Sequence, residues 1–332
     1  MNQLKSKART GFRFALVGLV AQAGMTFSQQ APASQQFPDK PVTLVVPYGP
    51  GGVVDISARA LAEGLSKQWG QTVVVENRAG ASGVIGTSTV ARAAGNGYTL
   101  LCVDDGVLVS LPHFNKDLPY DTMKDLQPVS MIGGYPYVFY AHAQTGLNSV
   151  QTLLAEARTK PGSITFGTNG VGGIQHLAVE RFLRQANIKM NHIPYKSAAP
   201  ALQDVVGGQI NTAIVALATG SPFLKDARLV PLMVTSRERT PLRDDVPTAK
   251  ELGFDEFTTE SWLAIFAPGK TPPELVEKIS ASIAQVVQSQ TYREALESRG
   301  ASAAYKKPDE MKQLIQTEFE RNKKDIASFI AQ

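Results

Sequence analysis

The chain reads as an α/β protein built from two lobes, and three observations predict this. Apolar strand-like runs alternate with helical ones from residue 41 onward, the pattern of mostly parallel sheets covered by helices on both faces. Two strand-to-helix junctions, one in each half of the chain, are glycine-rich turns. From residue 271 the chain is helical without further strands, so it must pack back on a sheet laid down earlier, which makes the first lobe discontinuous.

Taken in order, strands are predicted at 42–46, 72–76 and 98–103, with helices at 54–68 and 83–94 between them. The first helix follows from apolar residues at Ala58, Leu61, Ala62, Leu65 and Trp69, the spacing of one helical face. Further strands are predicted at 137–141, 164–166, 191–193, 213–217, 229–234 and 263–267, with a helix starting near Gln175. Thr271-Pro272-Pro273-Glu274 opens a helix whose apolar positions Leu275, Ile279, Ile283 and Val287 recur every four residues. Lys307-Pro308-Asp309-Glu310 opens another. The division that results is 35–137 plus 265–332 for lobe one and 138–264 for lobe two.

The two turns carry the functional signal. Pro47-Tyr48-Gly49-Pro50-Gly51-Gly52-Val53-Val54-Asp55 follows the first strand, and Gly167-Thr168-Asn169-Gly170-Val171-Gly172-Gly173 leads into Ile174 and Gln175. A strand feeding a helix through bare backbone leaves several N–H groups aimed at one spot, where the helix dipole adds partial positive charge. Ligands of open α/β sheets lie at such strand ends. One anion site per half predicts a cleft that closes on a small acid. Thr168 and Asn169 suit a carboxylate as donors or stabilise their own turn; Asp55 would repel an anion and reads as turn architecture.

Lys5, Lys7, Arg9 and Arg13, then the apolar stretch 14–23 and Ala31-Pro32-Ala33, have the form of a secretory signal peptide over 1–33. Its removal takes four basic residues and no acidic ones, bringing the formal charge from +4 to zero. A neutral mature chain without a Lys/Arg run argues against nucleic acid as a partner. Cys102, the single cysteine, sits in an apolar strand and reads as buried filler.

Enzyme signatures are missing. The four histidines, His113, His142, His176 and His192, are scattered, with neither H-E-x-x-H nor C-x-x-C, so no metal site and no cofactor are predicted. Gly80-Ala81-Ser82-Gly83-Val84 falls short of a nucleophile elbow. A secreted α/β hydrolase using Ser82 or Ser57 is the alternative from another class, without an identifiable base. Asp104-Asp105, at a strand end, is expected to cap or face solvent. Arg78, beside Glu76, is expected in a structural ion pair rather than as a carboxylate clamp.

Several runs together resemble one family. They are Phe37-Pro38-Asp39-Lys40-Pro41, Val46-Pro47-Tyr48-Gly49-Pro50-Gly51-Gly52, Val75-Glu76-Asn77-Arg78-Ala79-Gly80, Gly97-Tyr98-Thr99-Leu100-Leu101 and Leu118-Pro119-Tyr120-Asp121. The match continues through His176-Leu177-Ala178, Ile193-Pro194-Tyr195-Lys196, Ala199-Pro200-Ala201-Leu202, Gly207-Gly208-Gln209 and Asp245-Val246-Pro247-Thr248. In this order they are similar to the Bug/TctC periplasmic solute-binding proteins. The resemblance implies a two-lobe periplasmic-binding-protein fold of the class II type, with a hinge and a central ligand cleft, and no catalysis. It implies a periplasmic, monomeric receptor that hands a small carboxylate to the permease subunits of a tripartite tricarboxylate-type transporter. A ligand-sensing lobe for a membrane signalling protein would share the same chemistry. Backbone amides and ordered waters would hold one carboxylate between the glycine loops. The expected ligand-binding residues are then Tyr48, Gly51, Gly52, Val53, Val54 and Val84 from one side and Thr168, Asn169, Gly170, Gly173, Ile174, Gln175 and Val215 from the other. Val54, Val84, Ile174 and Val215 stand where relatives tend to carry hydroxyl, amide or acidic groups, and Ser197-Ala198 replaces a glycine-led pair after Lys196. The exchange favours an aromatic or aliphatic dicarboxylate over a hydroxylated tricarboxylate.

Overall fold

The computed structural model describes residues 37–330 apart from residue 224; the expected leader at 1–33 lies outside the described residues. β1 (Val42–Val46) leads through the first glycine turn into α1 (Val53–Trp69), and β2 (Val73–Asn77) leads into α2 (Val84–Ala91), followed by β3 (Thr99–Asp104). A π-helical turn, Gly106–Ser110, and the one-turn helices α3 (Leu111–Phe114) and α4 (Thr122–Asp125) precede the long strand β4 (Leu126–His142). Next come α5 (Val150–Thr159), β5 (Thr165–Thr168), α6 (Ile174–Ala186), β6 (Asn191–Pro194), α7 (Ala198–Val206), β7 (Thr212–Ala216), the single turn α8 (Leu217–Gly220), β8 (Leu229–Val234) and β9 (Glu260–Pro268). Three helices close the described chain: α9 (Pro273–Gln288), α10 (Gln290–Glu297) and α11 (Pro308–Ile330).

The sheet runs β2-β1-β3-β9-β4-β7-β5-β6, with β8 also on β4. Pairs β1–β2, β1–β3, β5–β6 and β5–β7 are parallel. Pairs β3–β9, β4–β7, β4–β8 and β4–β9 are antiparallel, which corrects the expectation of mostly parallel sheets. The antiparallel pairs all involve β4 or β9, the strands that run through the middle of the sheet. β4 pairs with β9 as far as Pro136 and with β7 from Tyr137 on. Its first eleven residues escape the sequence pattern because Pro128, Gly133, Gly134 and Pro136 read as loop residues. Bulges at Pro128/Ser130 and Met131/Gly133 accommodate some of them within the ladder.

The helices follow their apolar faces. α1 buries Val54, Ala58, Leu61, Ala62 and Leu65 and ends on Gly70, left-handed at φ 63°. The C-terminal helices pack back as expected, α9 and α11 on β4 and α9 on α1, with Ile279, Ile283, Val286 and Val287 of α9 buried. At the α1–α9 crossing a Cβ on Gly64 would overlap the Val286 side chain. Gly64→Leu is therefore expected to destabilise the protein by about 2 kcal/mol through overpacking, despite the better helix propensity of leucine. Urea unfolding measures this, and an unchanged midpoint would contradict the close helix approach.

Candidate anion-binding cleft

The first glycine turn is held by Asp55. Gly51 takes a positive φ of 83°, and its N–H donates to Asp55 Oδ2 at 3.0 Å. The same carboxylate accepts from Arg59 Nε at 3.1 Å and from Asn77 Nδ2 at 2.9 Å, and Asn77 Nδ2 also reaches Tyr48 O at 3.1 Å. Burial pushes the Asp55 carboxyl up, but the bonds from Arg59, Gly51 and Asn77 outweigh it and leave it below its ordinary value. Asp55 is thus turn architecture, and it engages the Gly51 amide that the sequence offered to a ligand. The N–H groups of Val53 and Val54, in the first helical turn, have no intrahelical acceptor. Tyr48 is buried and donates its hydroxyl to Asp104 Oδ1 at 2.7 Å, so its polar tip points to the protein interior.

A further turn stands beside it. Gly80, Ala81, Ser82 and Gly83 all have positive φ, and α2 starts directly behind them at Val84, half-buried. Gly86 lets α2 approach so closely that a Cβ would lie 2.7 Å from Pro47 Cα. Arg78 Nε pairs with Glu76 Oε1 at 2.7 Å; this is an ion pair within one segment, where one between loops was expected.

The second glycine turn is tied internally. Thr168 Oγ1 accepts from Gly170 N–H at 3.2 Å and lies 3.0 Å from Gly170 O and 2.7 Å from His192 Nε2. Asn169 N–H donates to Gln175 Oε1 at 3.0 Å, and Gly172 N–H to His176 Nδ1 at 3.3 Å. Thr168 and Gln175 therefore hold the turn itself. Asn169 Oδ1 is buried with no hydrogen-bond partner, 2.9 Å from where a Cβ on Gly173 would stand. Behind the turn the His176 and His192 rings stack at 4.2 Å between centroids, and His192 stacks on Phe166 at 4.9 Å. Burial pushes both imidazoles down to about 4, with His192 adding to the effect on His176. The sequence showed these histidines as scattered; the β5–β6 pairing sets His192 beside Phe166, and the first turn of α6 lays His176 on it.

The turns converge. A Cβ on Gly170 would strike Ser82, and one on Gly106 would lie 2.9 Å from Ile174 N. A Cβ on Gly49 would lie 3.1 Å from Ser197 Oγ, and one on Gly51 3.9 Å from the Ala199 Cβ. These approaches bring four helix starts close in pairs: the α2 start behind Gly83 to the turn before α6, and the α1 start behind Gly52 to the α7 start behind Ser197. None has a side-chain cap. The α7 start was missed in the sequence, although Ile193-Pro194-Tyr195-Lys196-Ser197 is also a strand-to-helix junction.

Two expectations are corrected. Val215 is fully buried in β7 within the cluster formed with Ala201, Leu202 and Val205 of α7, so it packs the core rather than the cleft. Asp104 and Asp105 are buried, not solvent-facing: Asp104 accepts from Tyr48 and, at 3.3 Å, from Tyr135, and Asp105 accepts from Ser261. Strand β3 ends under the first turn, where the surrounding hydroxyls replace water. Cys102 is buried, and burial pushes its thiol up, as expected of filler.

Comparisons with known proteins place the chain in a family. Residues 57–329 match the family model described as tripartite tricarboxylate transporter family receptor. The chain is 35% identical to BugT of Bordetella pertussis over 310 residues, covering 92% of this chain and 94% of that protein. Among solved structures it is similar to a Rhodopseudomonas palustris protein with adipate, at TM-score 0.84 and 31% identity, covering 88% of this chain and 98% of that one. It is also similar to the periplasmic binding protein BugD, at TM-score 0.83 and 28% identity over 87% of this chain and 97% of that one. A third likeness is MatC of R. palustris with bound malate, at TM-score 0.82 and 27% identity over 87% and 100%. On this family match and these likenesses, the chain belongs to the Bug/TctC family of periplasmic solute-binding receptors, a family without a catalytic role.

Proposed function

We propose that this protein captures a small dicarboxylate with an apolar body, aromatic or aliphatic, in the cleft between the glycine turns, and delivers it to the permease subunits of a tripartite tricarboxylate-type transporter. The observation that carries the reading is the convergence of four helix starts without side-chain caps. Charge-assisted N–H bonds contribute roughly 1.5–3 kcal/mol each, and micromolar binding corresponds to about −8 kcal/mol, so a few of them with apolar contact suffice. Gly52, Val53, Val54, Gly170, Gly173 and Ile174 are the proposed contacts, with Val84 at the rim. The adipate and malate seen in the solved neighbours support an acid of this size. The lobes would be 35–137 plus 265–332, and 138–264. The change of partner along β4 between Pro136 and Tyr137 supports a hinge there.

A thermal-shift panel tests the ligand class. Adipate and terephthalate are expected to raise the melting temperature more than citrate, malate or aspartate, because a ligand hydroxyl left unpaired against Val84 and Ile174 costs about 1–3 kcal/mol. Larger stabilisation by citrate or aspartate would overturn the apolar-body reading. We also propose that the protein is exported and that the mature chain begins near residue 34. Intact mass of the secreted protein checks this; a full-length cytoplasmic product would contradict it.

A further inference from the structure

We propose that this receptor takes up one proton as it binds its carboxylate, and that Asp104 is the group that receives it. The inference rests on the reading that an anion sits among the glycine-led helix starts.

Asp104 ends β3 directly beneath that seat and is 2% exposed. Its Oδ1 accepts from the Tyr48 hydroxyl at 2.7 Å and its Oδ2 from the Tyr135 hydroxyl at 3.3 Å. The backbone N–H groups of Gly106 and Val107 also bond to it. A Cβ on Gly106 would lie 3.5 Å from Asp104 Oδ1 and 2.9 Å from Ile174 N. The resident carboxylate and the first N–H of α6 therefore face each other across one glycine. The ring of Tyr48 in turn lies 3.5 Å from the Cβ position of Gly83, at the start of α2.

The groups that bond Asp104 are hydroxyls and amides, and the charged groups beside it are acids. From β3 comes the Cys102 thiol and from just after it Asp105, from β4 the Tyr135 and Tyr137 hydroxyls, and from β9 Ser261, bonded to Asp105. From α11, Glu318 bears on Asp105 and accepts from Trp262 Nε1 at 2.8 Å. Arg181 of α6 acts on Glu318 and donates to Asn322 Oδ1 at 3.4 Å. Asp55, under the same turn, is different because Arg59 neutralises it.

Burial raises the Asp104 carboxyl to about 6, against the hydroxyl and amide bonds that lower it. At neutral pH it is mainly ionised, with a small free-energy gap to the protonated form. A ligand carboxylate arriving at Ile174 N–H brings a second negative charge into the same low-dielectric region, which favours protonation of the resident acid. The proton comes from the buffer and ends on an Asp104 oxygen, so the complex carries one charge fewer than its separated parts. Affinity should therefore rise as pH falls toward 6, by up to tenfold per pH unit, and level off below it.

Titration calorimetry with adipate at pH 7.0, in phosphate and in Tris, reads the proton directly, since the two buffers differ in ionisation enthalpy. The expected result is uptake of about half a proton or more per adipate bound in the wild type, and loss of that uptake in Asp104→Asn, which keeps the acceptor for Tyr48. If Asp104→Asn does not fold, Tyr48→Phe serves instead: removing a bond to the ionised form pre-protonates Asp104 and should diminish the uptake. Adipate binding with a buffer-independent enthalpy, or full uptake retained in Asp104→Asn, overturns the inference alone. Failure of adipate to bind at all overturns the ligand reading and this inference with it.

Discussion

Gly170→Val should abolish dicarboxylate binding, with a loss of affinity on the order of 100-fold or more. Two effects combine. Gly170 has φ 128°, which a β-branched residue adopts only with strain, and the new side chain would strike Ser82 across the cleft. Strain and overpacking each cost about 1–3 kcal/mol, and neither is relieved without moving one helix start away from the other. The matched substitution in the first turn, Gly51→Val, should be milder. Gly51 also has a positive φ, but its nearest neighbour outside the turn, the Ala199 Cβ, is 3.9 Å away from the added atom. Titration calorimetry with adipate compares the two; equal and small losses would show that the cleft does not form between the turns.

The second large effect is on stability in acid. His176 and His192 are held neutral by burial, each down to about 4 against an ordinary value of 6.5. For a histidine whose folded pKa is depressed, the unfolded chain binds more protons as soon as pH falls below 6.5, so stability declines from there and the decline ends near pH 4. The buried carboxyls act in the opposite direction. Asp104 and Asp105 have raised values, so protonation of Asp104 as pH falls through about 6 favours the folded state, and that of Asp105 acts in the same sense. A double variant separates the two. Each ring accounts for about 3 kcal/mol at pH 4, so between pH 7.5 and 4 wild type is expected to lose roughly 3–6 kcal/mol more than His176→Asn/His192→Asn, the lower figure allowing for solvent screening at the partly exposed His192, read from urea unfolding at each pH. Parallel pH profiles would show that the stacked rings titrate normally. The stack matters to binding because His176 accepts the Gly172 amide and His192 contacts Thr168, so its protonation would also loosen the second turn.

Much of the turn architecture was legible because local chemistry dictated it. Bare-backbone turns between an apolar run and an amphipathic helix can form few other structures, and Asp55 one turn into the helix reads as a brace on chemical grounds alone. Val215 was misread because a strand pattern gives a residue's neighbours in sequence and not which face of the sheet it lines; the packing of α7 over β7 put it in the core. Asp104-Asp105 looked like a solvated pair because only the fold brings Tyr48, Tyr135 and Ser261 to them. β4 was half hidden by Pro and Gly, which are tolerated there because bulges interrupt the ladder.

The sequence by itself determined the alternation of strands and helices, the anion-seeking turns and the family, since each depends on residues adjacent along the chain or on motifs in a fixed order. The tertiary structure decided which helix starts meet. The α7 start joins the cleft through the approach of Gly49 to Ser197, and the α2 start through that of Ser82 to Gly170. It also decided that Tyr48 turns inward, and that two histidines sixteen residues apart become one stacked support. These are contacts between segments distant in sequence, set by sheet order and burial, and no local pattern of residues encodes them.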